Sequence, residues 1–124
     1  MGYEISSTDM GKYLEVMASG PQTFENNLAL AHDCLELCRQ YGKGILLIDI
    51  IGLTGQPGAM ADYQLAKLID EWAANKCISK AALYEKETEL AAGKFFETAV
   101  RNRAINLRVF TDKKEAVKWL META

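Results

Sequence analysis

The feature that most constrains the fold is an apolar run near the middle of the chain. Residues Gly44 to Ile51 read GILLIDII, and Asp49 is their only charged member. An almost unbroken apolar run of this length is typical of a strand that is covered on both faces or lies near the middle of a sheet. The run is far too short to span a bilayer, and Asp49 interrupts it. We therefore predict the central strand of a sheet here and no integral membrane segment.

Strand and helix patterns alternate on both sides of this run. Two short strand-like runs come first, and Thr8 to Gly11 between them suits the tight turn of a hairpin. The alternation that follows favours a mostly parallel sheet with right-handed crossovers. The predicted strands are Tyr3–Ser7, Lys12–Ser19, Gly44–Ile51, Ile78–Tyr84 and Ile105–Phe110, and the predicted helices run from Thr23 to Tyr41, from Ala59, over Thr88–Arg103 and over Asp112–Glu122. The sequence thus predicts one α/β domain over residues 1–124, with the order ββαβαβαβα and a mixed, mostly parallel five-stranded sheet.

The first predicted helix has a wide apolar side. Thr23 is a good N-cap residue, and Gly42 ends the helix. Two adjacent apolar rows run along it, namely Phe24, Leu28, Ala31, Leu35 and Cys38, and Leu30, Cys34, Leu37 and Tyr41. The polar residues left to water are Glu25, His32, Asp33, Glu36 and Gln40. Such a wide stripe indicates deep packing on the sheet or an additional contact with a second subunit. Together with the apolar central strand, it leads us to predict a homodimer.

Charge and cysteine content narrow the functional classes. With 17 acidic and 14 basic residues the net charge is −3, so we expect no nucleic-acid partner. The first residues show neither a basic nor an apolar signal region, and we expect a cytoplasmic protein.

Three cysteines are an odd number, and Cys34 and Cys38, one helical turn apart among leucines, are interpreted as small core residues. The single histidine, His32, lies on the opposite side of that helix, so we predict neither a metal site nor another cofactor.

Several segments resemble proteins of the SpoIIAA-like (STAS) family. They are GKYLEVMASGPQTFEN at the first passage from strand to helix, GKGILLIDIIGLTG at the central strand, ISKAALYEK, and the ending NLRVFTDKKEAVKWL. The most specific parts are the apolar strand that closes on Asp49, followed by Gly52 and Thr54, and the final strand, capping turn and helix. The resemblance covers nearly the whole chain and implies a SpoIIAA-like fold, related also to Sec14-type lipid carriers. None of these segments is a catalytic motif.

In the anti-sigma factor antagonists of this family, a partner kinase phosphorylates a Ser at the start of the helix after the central strand, and the added charge switches binding. When Asp49, Gly52 and Thr54 are aligned with the family motif, Gly58 and Ala59 fall where that Ser belongs. Neither of these residues has a hydroxyl group. The chain therefore resembles a divergent branch of the family that lacks the phosphoserine switch.

A candidate site lies where the strands end. Open α/β sheets bind ligands beyond the carboxyl ends of their strands. The loop from Gly55 to Gly58 also leads into a predicted helix N-terminus, which favours anions, although no complete phosphate-binding glycine motif is present. Two interpretations of this loop stay open, namely a simple connection between strand and helix and a binding loop. The candidate binding residues are Asp49, Thr54, Gly55, Gln56, Gly58, Met60, Tyr84, Lys86 and Thr111. For Asp49 we favour a structural role, as a cap for the following loop, over a catalytic one.

These observations favour a non-enzymatic binding or regulatory module that acts through protein–protein interaction. No Ser, Cys or Thr is visibly paired with a base, since His32 lies on the wrong face of its helix for the strand ends. One alternative is a Sec14-like carrier of a small amphiphile or lipid. The residues expected around its pocket are Met60, Leu65, Phe95, Phe96 and Trp119. A second alternative is a small enzyme in which Asp49, Tyr84 or Glu85 acts as acid or base.

Overall fold

The structure is a computed structural model, and it describes residues 2–55, 77–87, 94, 97, 98, 101 and 106–122. Within these residues lie five strands and two helices. They are β1 (Glu4–Asp9), β2 (Leu14–Pro21), α1 (Phe24–Tyr41), β3 (Ile45–Thr54), β4 (Lys80–Tyr84), β5 (Leu107–Phe110) and α2 (Lys113–Met121). The helix predicted from Ala59 lies outside the described residues, and so does most of the helix predicted over Thr88–Arg103.

The strands form one sheet in the order β1-β2-β3-β4-β5. β1 pairs with β2 in antiparallel orientation, and the other three neighbouring pairs are parallel. This confirms the predicted hairpin and the predicted mixed, mostly parallel five-stranded sheet. The turn itself lies later than predicted, because Thr8 and Asp9 belong to β1 and pair with Glu15 and Leu14. The expected order of strand and helix is confirmed wherever the structure describes the chain.

The main difference from the prediction is the length of β3, which continues three residues beyond Ile51 to Thr54. β2 also continues to Pro21, and after a register shift between Met17 and Ser19 the two strands stay paired as far as Pro21 and Thr54. Gly52 permits this close approach, because a Cβ atom there would lie 2.9 Å from the Cβ atom of Ser19. Asp49 therefore lies in the middle of β3, and the prediction that placed it near the strand end was wrong.

The other strands begin slightly differently from the prediction. β4 begins at Lys80 rather than Ile78, because the backbone N–H groups of Ser79 and Lys80 both turn to the carbonyl oxygen of Gly44, at 2.8 and 3.2 Å. β5 begins at Leu107, and Ile105 lies outside the described residues.

Both helices are capped as their sequences indicate. The Thr23 hydroxyl accepts a hydrogen bond from the Asn26 N–H at 3.0 Å, and Gly42 ends α1 in the left-handed conformation with φ of 67°. At the start of α2, the Asp112 carboxylate accepts hydrogen bonds from the backbone N–H groups of Lys114 and Glu115. No helix among the described residues is long and apolar enough to cross a membrane.

Apolar side chains cover both faces of the sheet, which confirms the interpretation of β3 as its central strand. α1 packs on one face, over a core that contains Leu14, Val16, Cys34, Leu35, Cys38, Leu46, Ile48, Ile78, Ala81, Leu83, Leu107 and Val109. α2 packs on the other face, over a core that contains Tyr13, Leu47, Ala82, Ala116 and Leu120. Cys34 and Cys38 are thus core residues as predicted, whereas Asp33, expected in water, is half-buried and accepts a hydrogen bond from the Tyr3 hydroxyl.

Candidate functional site

A cleft of about 500 Å³ lies on the α2 side of the sheet, beside the first residue of α2. Its floor is a row of side chains that runs across four strands. Ser6 of β1 pairs with Met17 of β2, Met17 pairs with Asp49 of β3, and Asp49 pairs with Tyr84 of β4. The complete lining is Glu4, Ile5, Ser6, Met17, Ala18, Ser19, Asp49, Ile51, Gly52, Tyr84 and Lys113.

Asp49 is the most buried charged group in the cleft, with 8% of its surface exposed. It pairs with Tyr84 at the point where the ladder between β3 and β4 ends. One carboxylate oxygen accepts a hydrogen bond at 3.0 Å from the N–H group of Ile51, two residues further along the same strand. The predicted structural role of Asp49 is therefore present in a different form, because the carboxylate binds the strand's own backbone rather than capping a loop.

Lys113 brings a positive charge to the cleft from the first turn of α2. Its ammonium group lies 2.7 Å from the Glu15 carboxylate of β2, whose side chain is only 12% exposed. The hydrogen bond to Glu15 raises the pKa of Lys113, and the negative charges of Glu15 and Asp49 add to this increase against the opposing effect of burial. Lys113 consequently stays charged at neutral pH and joins α2 to β2.

The rest of the lining combines exposed apolar surface with negative charge. Met17 is 45% exposed and Ile51 is half-buried, whereas the Ile5 side chain packs against the α1-side core. Glu4 is exposed at the β1 side. The lining thus contains two carboxylates, those of Glu4 and Asp49, against one ammonium group that is already paired with a third carboxylate. The cleft is acidic with an apolar floor.

The structure brings together two of the sequence-predicted site residues, Asp49 and Tyr84, in this cleft. Glu85 does not line it. Glu85 is buried, and its backbone N–H group donates a hydrogen bond to the carbonyl oxygen of Phe110 at 3.0 Å.

The predicted residues at the strand ends are separate from the cleft. Thr54 and Gly55 lie at the end of β3, where the Thr54 hydroxyl donates to the Gly20 carbonyl at 3.4 Å and the Gly55 carbonyl accepts from the Gln22 side chain at 3.1 Å. Lys86 is exposed, but its ammonium group donates to the Leu53 carbonyl at 3.3 Å. Thr111 is exposed directly before the N-cap of α2. The remaining three predicted residues, Gln56, Gly58 and Met60, lie outside the described residues.

Sequence reasoning missed Glu4, Met17 and Lys113 as parts of one site. A signal was available for Met17. Alternate residues of a strand share a face of the sheet, and each residue of β3 has a neighbour on the same face in β2. One residue of β2 must therefore lie beside Asp49. A signal was also available for Lys113, since it directly follows Asp112, a residue with capping-box spacing to Glu115, and so belongs to the first turn of the predicted last helix. Within the described part of the chain, no three His, Cys, Asp or Glu side chains lie close enough together to hold a metal ion.

Comparison with solved structures identifies the architecture. An uncharacterised protein of the DUF3478 family with a SpoIIAA-like fold, from Shewanella loihica PV-4, matches with a TM-score of 0.60 over 96% of this chain and 93% of its own, at 24% sequence identity. This chain has a SpoIIAA-like fold. The resemblance inferred from the sequence is confirmed at the level of the fold, and seven chains of known structure match in all. No protein-family profile matches the chain, and neither does any curated protein.

Proposed function

We propose that this SpoIIAA-like protein is a non-enzymatic binding module that recognises a protein partner through the acidic cleft. The observation that carries the proposal is the row Ser6, Met17, Asp49 and Tyr84, which places an exposed thioether next to a buried carboxylate on one open sheet face. Surfaces that join apolar area to a few fixed polar groups are typical of specific binding sites.

The charge of the cleft indicates which partner side chain it takes. Glu4 and Asp49 face a single ammonium group, that of Lys113, which Glu15 already neutralises. A Lys or Arg side chain of the partner complements this arrangement, because its aliphatic stem can lie along Met17 while its cationic head approaches the carboxylates. The proposed occupant is therefore a protein segment with a basic residue next to an apolar one.

The chemistry of Asp49 supports binding over catalysis. One of its two oxygens is engaged by the Ile51 N–H group, and the cation that lines the cleft, Lys113, pairs with Glu15 instead of activating a nucleophile. The amphiphile carrier has less support, since Trp119, the one expected pocket residue that the structure describes, packs against Phe110 in the α2-side core with ring centroids 5.6 Å apart.

The test is site-specific photo-cross-linking in cells, with a benzophenone amino acid at Met17. The matched control places the same amino acid at Met10, which is 48% exposed against 45% for Met17 and does not line the cleft. We expect a cross-linked protein at position 17 that is absent at position 10. Asp49→Asn keeps an oxygen for the Ile51 N–H group but removes the charge, so it should lower the yield about tenfold. When the cross-linking is repeated in cell extract, raised ionic strength should also lower the yield.

Several outcomes would contradict the proposal. Equal cross-linking at positions 10 and 17, or a product that ignores Asp49→Asn and salt, would remove the cleft from recognition. Recovery of a lipid in place of a protein, detected by native mass spectrometry, would favour the carrier. A product with twice the mass of the chain at position 17 would mean that the cleft belongs to the homodimer interface and does not bind a separate partner.

Three further expectations belong to this proposal. The module acts in the cytoplasm, it forms a homodimer, and it works without a phosphoserine switch because Gly58 and Ala59 stand at the switch position. Together they describe a binding protein whose occupancy depends on the partner's concentration and charge rather than on a kinase.

A further inference from the structure

Two cysteines that are 39 positions apart in the sequence meet at the opposite end of the sheet from the cleft. Cys38 lies in the last turn of α1, and Cys77 lies three residues before β4. Their sulfur atoms are 2.8 Å apart, and the Cys38 thiol is also 2.9 Å from the carbonyl oxygen of Cys77. The disulfide bond is about 2.05 Å long, so only a small movement separates these thiols from a covalent link.

We infer that Cys38 and Cys77 are a reversible redox site, at which hydrogen peroxide converts the two thiols to a disulfide that joins the end of α1 to the entry of β4. Both cysteines are free thiols in the structure, as is Cys34. The proposed site is independent of the binding function of the cleft.

Backbone contacts hold the two chain segments that carry the thiols close to each other. The Gly44 carbonyl accepts hydrogen bonds from the N–H groups of Ser79 and Lys80, and the Lys43 N–H group donates to the Cys38 carbonyl at 3.2 Å. Gly44 also lies directly against Cys77, since a Cβ atom at Gly44 would be 2.5 Å from the Cys77 carbonyl oxygen. Because these contacts hold both chain segments, the two sulfur atoms stay within reach of each other and only a small movement is needed to form the link.

The burial of the two thiols assigns their roles in the reaction. Cys77 is the more exposed, whereas Cys38 is only 1% exposed. The Cys77 thiolate attacks one peroxide oxygen, the O–O bond breaks, and water leaves after protonation, which yields a sulfenic acid. Cys38 sulfur then attacks Cys77 sulfur, the S–O bond breaks, and a second water carries away the Cys38 proton and the sulfenic oxygen. Two thiols and one peroxide thus give one disulfide and two waters.

Burial, followed by the hydrogen bond with Cys77, raises the pKa of Cys38 to about 12. The Cys38 thiol therefore stays protonated at neutral pH, and we expect its attack on the sulfenic acid to be the slow step. Cys34 lies one turn earlier, is fully buried, and has a pKa that burial raises further. Cys34 should not take part.

The test exposes the whole reduced protein to hydrogen peroxide, blocks the remaining thiols with N-ethylmaleimide in denaturant, and maps the peptides without reduction. We expect one blocked thiol, on Cys34, and one cross-linked peptide pair that contains Cys38 and Cys77 and disappears with dithiothreitol. Cys34→Ala should form the same link at an unchanged rate, whereas Cys77→Ala should lose it.

The mapping of the unaltered protein decides the question even if a variant folds poorly. Three blocked thiols after prolonged exposure, a link that involves Cys34, or oxidation of Cys77 to sulfinic acid without a link would each overturn the inference. Cross-linking at the cleft should be the same in the reduced and oxidised protein, so failure of one proposal leaves the other standing.

Discussion

Lys80 anchors the C-terminal end of α2, and its charge is expected to contribute a large part of that helix's stability. Its ammonium group donates hydrogen bonds to the carbonyl oxygens of Trp119 and Glu122, the latter at 3.2 Å. The same group lies over the Trp119 ring, 4.5 Å from its centroid. Since α2 carries Lys113 into the cleft, this contact also helps to position the site. The informative change is Lys80→Met, which keeps an unbranched apolar stem and removes only the ammonium group.

Three effects of the ammonium group set the size of the loss. A cation at a partly buried helix C-terminus contributes up to ~2 kcal/mol, a hydrogen bond to a charged donor ~1.5–3 kcal/mol, and a cation–π contact ~0.5–1 kcal/mol. They share one group and are not additive, so we expect Lys80→Met to lower the free energy of unfolding by about 2 kcal/mol. With ~2.1 cal/mol/K of unfolding entropy per residue, this corresponds to a drop in Tm of roughly 8 °C for a chain of this length.

The assay is urea unfolding followed by circular dichroism. Lys118→Met is the matched control, because Lys118 is exposed in the last turn of the same helix and the charge change is identical. That variant should lose only about 0.3 kcal/mol, from the helix dipole alone. A loss below about 0.5 kcal/mol for Lys80→Met, or equal losses in the two variants, would refute the assignment of the stabilising effect to these contacts.

Three other predictions concern single positions. Gly44→Ala should cost about 1–3 kcal/mol in urea unfolding, because the added Cβ atom meets the backbone of Cys77 at 2.5 Å; a neutral result would mean that the corner between α1 and β4 is loose. Under reducing conditions, the unfolded chain releases the Cys38 proton above its ordinary pKa of 9.0, whereas the folded chain keeps it up to about 12. The free energy of unfolding is thus unaffected by this thiol below pH 9.0. Between pH 9.0 and about 12 it should fall by about 1.4 kcal/mol per pH unit more in the unaltered protein than in Cys38→Ala, and parallel pH profiles would contradict this. Thr54 should carry no regulatory phosphate, and phosphopeptide mapping of protein from its own cells that finds high occupancy there would show otherwise.

The fold could be predicted well where the signal is local. GILLIDII marks a strand buried on both faces, Thr23 and Gly42 bound α1, and Asp112 starts α2, because each effect depends on residues within one turn or one strand. The end of β3 was missed because it depends on a distant partner. Its last residues remain in the sheet only because β2 shifts register after Met17 and keeps pairing with them.

The candidate site was predicted only in part for a similar reason. Asp49 was conspicuous as a charge inside an apolar strand, and Tyr84 ends the neighbouring strand, so both could be found from local pattern. Glu4, Met17 and Lys113 join them only because β1, β2 and β3 are neighbours in that order and α2 begins beside β2. Lateral strand order depends on contacts between distant segments, which the patterns within each segment do not contain.

The homodimer stays a prediction, and the structure sharpens its test. The apolar run of β3 is not surplus surface, since Leu46, Leu47 and Ile48 are at most 2% exposed, and Leu37 packs against the α1-side core. Leu37→Asp would therefore place a charge in partly buried apolar packing and destabilise the chain itself, which makes it a poor probe of association. Tyr41, 38% exposed at the end of α1, offers the better one.

The surface area that a stable dimer buries shows that α1 alone cannot form the homodimer interface. A stable dimer buries ~800 Å² per partner, roughly an eighth of the chain's 6771 Å². The 18 residues of α1 make a helix about 27 Å long, and a strip of that length about 10 Å wide supplies only a third of the required area. A dimer that forms through α1 must thus also bury residues next to the helix. Tyr41→Lys should weaken this dimer at least about tenfold, and it should not destabilise α1, because a cation is favourable at a helix C-terminus. Met121→Lys, at a residue that is 42% exposed in the last turn of α2, is the control and should leave association unchanged. Sedimentation equilibrium at micromolar concentration measures both variants, and a single species at 13.8 kDa for the unaltered protein would refute the dimer.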